Sequence, residues 1–362
     1  MTPRRRRSLR LTLAAVAAML LVIVLAPRHR AACSRRPLPA LGASNEGLWL
    51  ALALTEVPCP GSARAVYRLR DDRGEPVDVL DPIDDPAGGY LGVFHTPLRG
   101  AAETSAEQYR VSLARSGDLI HWRRVRVLDP RGASMPALAA VPGASGFLLA
   151  YEKSHGRYDG VRVRFYPSRA ALLAGRYSAS RDLPLRFSRY SNGTPSFLSI
   201  EWRGGLARSV ITLAFHYETA SRGGKPGPDR EATGVLRGFR SWSPSRDAGV
   251  DGRLKALGFA GSHGDLRQFT LLGRAWRVYE AQTRFGDFGA WHVLLDQVGA
   301  RSFTPLRVLT RNGRFATSFG NPVAAVVRAP GGSGQALVVT LFVFSAGGAA
   351  RDAGELVYYQ RL

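Results

Sequence analysis

Lysine is almost missing from this chain. Of its 50 basic residues, only Lys153, Lys225 and Lys255 are lysines, and the rest are arginine. The formal net charge is +22 over 362 residues. Uniform replacement of Lys by Arg, alongside abundant Ala and Gly, reads as coding bias rather than as a nucleic-acid footprint. The arginines are scattered, with no basic helix and no RNA-binding signature, so no nucleic-acid partner is expected. An anionic polymer or a lipid surface suits such a charge better. Cysteine is also scarce. Cys33 and Cys59 both precede the first repeat described below. In an exported chain they form a single disulfide, stay as two thiols, or are separated when a leader is removed. Without Cys-x-x-Cys spacing neither reads as a metal ligand. Three further absences matter: a nucleotide-binding glycine fingerprint, a Gly-x-Ser-x-Gly elbow and a zinc-protease motif. They leave no cofactor to expect.

What is present begins with a targeting segment. Arg4 to Arg7 and Arg10 precede an apolar run from Leu11 to Ala26, with no acid before residue 37. A charged start and an apolar stretch of this length read as a signal peptide or membrane anchor over residues 1–30. The run is slightly short for a relaxed span of about 20 residues. Positive charge ahead of it keeps that end cytoplasmic and sends the remainder outward. The expected location is therefore extracellular, periplasmic or tethered to the outer face of the membrane, with the N-terminal segment contacting lipid. Residues 31–44, rich in Arg, Pro and Ala, read as a linker, and residues 45–362 as one domain.

Beyond residue 80 there is almost no sustained 3.6-residue period. Instead a short apolar or aromatic run ending in polar residues recurs about every 50 to 70 residues. The five runs are Tyr90–Thr96, Phe147–Lys153, Ile211–Glu218, Trp276–Gln282 and Val338–Ser345. A second element precedes them at Asp85-Pro86, Met135-Pro136, Thr194-Pro195, Gly264-Asp265 and Asn321-Pro322. A third set of runs follows them at Tyr109–Arg115, Val161–Tyr166, Ala232–Phe239, Trp291–Leu295 and Gly354–Arg361. Repeats of this length predict four-stranded blades around an axis, an all-β five-bladed propeller with an N-terminal strand completing the last blade. Hydrophobic content of 45% is enough for its core. Residues 45–57 read as a strand or a short helix, and Ser168–Gly175 as one or two helical turns with Ser168 as N-cap.

One motif resembles a known group. Ser116-Gly-Asp118-Leu119-Ile-His-Trp122 is similar to the Ser-x-Asp-Leu-x-x-Trp turn of family-43-like five-bladed propeller glycosidases, the arabinanase and xylosidase relatives. It is echoed at Phe239–Trp242 and Gly286–Trp291. The resemblance implies a carbohydrate partner and three acidic residues on the inner strands of the first three blades: a base, an orienting Asp and a proton-donating Glu. It also implies the spacing of about 6.5–9.5 Å between acid and base that inversion requires. Asp85, or Asp81, fits the base. Blade two offers only Met135-Pro136-Ala137, and blade three offers Asn192 where a Glu is wanted. An amide cannot protonate a leaving group. Chemistry is thus either rebuilt from other groups or absent, leaving a glycan- or partner-binding propeller.

The groups available for rebuilding stand at strand ends. Glu152 and Glu280 each follow a tyrosine that closes an apolar run. Burial there raises a carboxyl pKa, as a general acid needs. The bland alternative is pairing with one of the many arginines. Asp85 and Asp265 are the candidate bases, although Asp265 after Gly264 also suits a turn. His95 and His216 are placed to orient sugar hydroxyls, with Glu218, Asn192 and Asn321 as further binding residues. His155 and His263 complete a set of four histidines near strand ends, which raises a metal site as a third reading without any metal-ligand spacing to support it. Trp122, Trp242 and Trp291 are expected between blades.

Overall fold

The computed structural model describes residues 38–57, 64–98, 108–221, 224–300, 303–306, 308–309, 315–316, 318–344 and 352–362. The targeting segment, Cys33 and Cys59 lie outside them. Among the described residues no helix is long and apolar enough to cross a membrane. Residues 45–57 resolve as a helix, α1 (Glu46–Thr55), followed by the short strand β1 (Ala65–Tyr67). The end of the expected linker is docked rather than free: Leu38 and Leu41 pack with Trp49 and Leu50 of α1 against one core cluster.

Five four-stranded antiparallel sheets follow one another along the chain. Blade one is β2 (Asp78–Asp84), β3 (Tyr90–Pro97), β4 (Tyr109–Ser116) and β5 (Trp122–Asp129). Blade two is β6 (Ala133–Ala140), β7 (Phe147–Ser154), β8 (Asp159–Tyr166) and β9 (Ala179–Asp182). Blade three is β10 (Asn192–Glu201), β11 (Val210–Ala220), β12 (Pro226–Arg237) and β13 (Ser241–Arg246). Blade four is β14 (His263–Leu271), β15 (Arg274–Gln282), β16 (Trp291–Gln297) and β17 (Phe303–Pro305). A two-stranded sheet, β18 (Val308–Leu309) with β19 (Phe315–Ala316), precedes blade five, which comprises β20 (Phe319–Arg328), β21 (Gln335–Val343) and β22 (Gly354–Arg361). Its fourth strand is β1, with Ala65 opposite Tyr358. The first strands neighbour one another in a closed ring. The chain is a five-bladed β-propeller, and the polar-ended runs are its second strands.

Five hydrophobic clusters fill the five blade interfaces. Blades five and one, for example, bury Val338 and Val357 against Leu80, Phe94 and Trp122. The turn Ser116–Trp122 joins β4 to β5, as the resemblance implies. Ser116 Oγ accepts the Leu119 N–H at 2.9 Å, Asp118 Oδ1 accepts the His121 N–H at 2.8 Å, and the Trp122 indole donates to Leu119 O at 2.9 Å. Gly92 faces the Trp122 ring so closely that a side chain there would collide with it. Phe239–Trp242 repeats this turn between β12 and β13, but Gly286–Trp291 does not. It leads from a second strand into a third.

Each first strand carries a β-bulge near its start, at Asp78/Asp81, Ser134/Ala137, Gly193/Ser196, His263/Leu266 and Gly320/Val323. In four of them a non-glycine residue takes the left-handed conformation: Val79 (φ 54°), Met135 (47°), Thr194 (42°) and Asn321 (50°). Such strain costs about 1–3 kcal/mol per residue. At three of the four, capping groups from the preceding blade offset it. Glu355 accepts the N–H groups of Val79 and Leu80, His95 Nδ1 that of Met135, and Glu280 that of Asn321. The blade-one counterpart of Met135-Pro136 is therefore Val79-Leu80. Asp85-Pro86, expected in that role, forms the tight turn between β2 and β3 instead.

Candidate functional site at the strand starts

The bulges turn the starts of the first strands outward beside the ends of the second strands, and a cavity of about 920 Å³ opens there. Six carboxylates line it: Asp78, Glu152, Asp159, Glu218, Asp229 and Glu280. Aromatic side chains line it as well, notably Phe288, Trp291, Phe342 and Phe344 near blades four and five. Trp291, expected between blades, belongs to this wall. A second opening, of about 1200 Å³, lies further along the same first strands and is mostly apolar. Arg267 lines that second opening, donating to Pro136 O at 3.3 Å and pairing with Asp265 at 3.4 Å.

Glu152 is the central group. It stands opposite Ser134 in the β6–β7 ladder, and Ser134 Oγ donates to its carboxyl at 2.8 Å. Burial, reinforced by the neighbouring charge of Asp159, pushes its pKa up to about 8. Gly193 makes this position possible, because a β-carbon there would overlap both the Glu152 carboxyl and His216 Nε2. Glu218 pairs across the ladder with Asp229. Burial, then Asp229 and Asp159, push its carboxyl up to about 7. His95 is 4% exposed, and burial pulls its pKa down to about 3, so it stays neutral. Because its Nδ1 accepts the Met135 N–H at 3.1 Å, the ring proton sits on Nε2. Tyr109 packs against the ring at 4.3 Å between centroids. His216 Nδ1 bonds the Thr194 hydroxyl, and its Nε2 lies 3.8 Å from Asp229.

The structure thus brings Glu152, Glu280, His95, His216, Glu218 and Asn321 to one cavity. It treats the other expected residues differently. Glu280 spends one oxygen on the Asp265 N–H and the other on the Asn321 N–H, clamping blade four to blade five. Asp85, the expected base, does not line this cavity. It sits at the opposite end of β2, closed off from solvent, with Arg169 donating at 2.6 and 2.8 Å and Arg115 at 3.3 Å. Burial works against its charge, yet these guanidiniums hold its pKa below the ordinary value. Asp265 lies just beneath the cavity, after the lining residue Gly264, and is 1% exposed. Asn192 is buried and does not line the cavity. Of the remaining histidines, His155 packs on Tyr158, and His263 is enclosed between Asp251 at 2.6 Å and Phe259 O at 2.9 Å. Among the described residues no group of three His, Cys, Asp or Glu is placed to hold a metal ion.

Three lining acids escaped the sequence reading. Asp78 opens the first strand of blade one, opposite His95. Asp159 and Asp229 come from third strands, beside the ends of β7 and β11. The usable signal was positional, since each faces the polar end of a second strand across the ladder.

No protein-family model and no curated protein matches the chain. Solved structures do. The structure of BT0996 in an RGII complex is 9% identical, with a TM-score of 0.57 over 89% of this chain and 96% of that one. A thermostable family-43 glycoside hydrolase is 11% identical, with a TM-score of 0.47 over 82% and 93%. The GH43_1 enzyme from Xanthomonas citri, complexed with xylotriose, is 11% identical, with a TM-score of 0.47 over 82% and 90%. At such identities the likeness is one of fold.

Proposed function

We propose that this chain binds a carbohydrate in the acidic cavity and hydrolyses a glycosidic bond there. The observation that carries the reading is Glu152, a half-buried carboxyl whose pKa of about 8 keeps it protonated at neutral pH inside an open cavity. Such a group can protonate a leaving oxygen. Asp78, from the first strand of blade one, replaces Asp85 as the candidate base that draws a proton from water. His95 offers its Nε2–H, and His216 its ring, to sugar hydroxyls. The aromatic wall provides a surface on which a sugar ring stacks. The Ser116–Trp122 turn, similar to that of the family-43-like glycosidases, agrees with this reading. So does the Arg-rich start with its apolar run, which fits a chain exported to meet an external glycan.

The test is turnover of a panel of aryl glycosides and plant or bacterial polysaccharides by the protein, beside Glu152→Gln and Asp78→Asn. A loss of about 10²- to 10⁴-fold in kcat for Glu152→Gln, with the fold intact, is expected for a missing general acid. Unchanged turnover in that variant would remove Glu152 from the chemistry. A non-catalytic glycan-binding propeller is the second reading. Two of the four carboxylates expected to do chemistry, Glu280 and Asp85, are committed to structural contacts, and retention on a glycan array without turnover would select it.

A further inference from the structure

We infer that the face of the propeller opposite the acidic cavity docks on an anionic lipid bilayer, with the hairpin tip Leu272-Gly273 inserted among the acyl chains. This goes beyond the carbohydrate reading and does not depend on it. The first ground is the tip itself. Leu272 and Gly273 join β14 to β15 as a two-residue turn, with Leu271 opposite Arg274. Both lie in the left-handed region, at φ 45° and 80°. Asn-Gly is a preferred pair for such a turn, and a bulky residue there is strained. Leu119 and Phe239 take the same conformation, but they bury their side chains in the core. Leu272 is 53% exposed, at the rim of the second opening, which Leu41 and Leu362 also line. Burial within the domain therefore does not offset its strain, whereas insertion into lipid buries the side chain.

The second ground is charge. First and third strands end at this side of each blade. Exposed Arg176, Arg208, Arg240, Arg274 and Arg361 stand in or beside the turns there. The acids of those turns are already matched: Asp84 by Arg328, Asp85 by Arg169, Asp118 by His121 and Glu201 by Arg203. The remaining charge is positive, which suits anionic headgroups. Arg274, next to the tip, is long enough to stay among headgroups while Leu272 sits deeper. The third ground is where the chain enters. Ala40 and Leu41 line the same opening, and Arg274 donates to Ala43 O at 3.3 Å. Residues 1–30, expected as a signal or anchor, are thus joined to the domain at this face through residues 31–37. A soluble anionic polymer answers the charge but not the exposed leucine. Docked in this way, the acidic cavity opens away from the bilayer, and its ligand comes from the surroundings rather than from the lipid.

The experiment is amide hydrogen exchange of the full chain, read by mass spectrometry, in three settings. They are phosphatidylcholine vesicles, vesicles that also contain phosphatidylglycerol, and phosphatidylcholine vesicles with soluble polygalacturonate. In the anionic vesicles the tip at Leu272 and the turn at residues 202–209 are expected to exchange about tenfold more slowly than in the neutral ones. The cavity-end turns at residues 155–158 and 283–288 should keep their rates. Leu272→Asn fits the left-handed turn, so its Tm should equal or exceed that of the parent. It should nevertheless lose about tenfold in protection at residues 202–209, the effect of withdrawing one apolar side chain from lipid. Equal rates in neutral and anionic vesicles overturn the docking, and slowing at the cavity-end turns overturns its orientation. Protection that survives Leu272→Asn overturns insertion of the tip. Equal protection by polygalacturonate overturns the lipid in favour of an anionic polymer.

Discussion

Replacing Glu152 by Gln should stabilise the protein at high pH while removing its activity. The carboxyl pKa rises from an ordinary 4.5 to about 8, chiefly through burial. The folded state therefore binds the Glu152 proton more tightly than the unfolded chain does. Between pH 4.5 and 8 the folded state holds more protons, and stability falls as pH rises through that window. The span corresponds to about 5 kcal/mol at most, and water in the open cavity reduces it to a working expectation of about 1–3 kcal/mol. Gln is nearly isosteric, cannot ionise, and keeps a carbonyl for the Ser134 hydroxyl that now bonds the carboxyl at 2.8 Å. At pH 5 the variant should match the parent within about 0.5 kcal/mol, as a neutral-for-neutral exchange does. At pH 9 it should be the more stable of the two. Urea unfolding followed by tryptophan fluorescence at both pH values reads this directly. A difference that is the same at pH 5 and pH 9 would refute the raised pKa, and with it the argument for Glu152 as proton donor. The assay needs no knowledge of the sugar.

Two other substitutions probe the architecture of the site. Gly193→Ala places a β-carbon against the Glu152 carboxyl and His216, and a displacement of that order costs about 10²-fold in kcat. Little change in Tm should accompany it, and a large drop in Tm would show instead that the blade has been disrupted. Arg169→Met removes the bidentate partner of buried Asp85 and should cost about 3 kcal/mol in urea unfolding, the lower range for a broken buried pair because Arg115 remains. Turnover should be unaffected, and a selective loss of activity would return Asp85 to the chemistry.

The blades were legible in the sequence for a physical reason. Second strands packed on both faces must be apolar, and where they emerge at the cavity they must turn polar, so Phe147–Lys153 and Ile211–Glu218 announce both a strand and its end. The first strand of blade one was not legible. The repeated feature there is a bulge with one left-handed residue, and proline after it is incidental. Val79-Leu80 lacks the proline that marks Met135-Pro136 and Asn321-Pro322, while Asp85-Pro86 has one in a turn. The cavity itself was half legible. Glu152, His95 and His216 lie on the periodic strands, but Asp159 and Asp229 reach it from the next strand out, and the partner of Asp85 lies 84 positions away, a pairing no period encodes.

The β1–β22 ladder has a consequence for how the molecule comes into being. Ala65 leaves the ribosome long before its partner Tyr358. Four blades can assemble on their own strands as they emerge, but the fifth must wait for one strand held over from the beginning. Until then β22 presents an unpaired edge, and the blade-five face of blade one has no neighbour. Contacts so distant in sequence form slowly, and an open edge invites pairing with other chains. The final step of assembly is thus a meeting of the two ends of the domain, and the same step that completes the last sheet also brings Phe342 and Phe344 up to the cavity wall. A chain interrupted before that meeting keeps most of its blades and has no finished site.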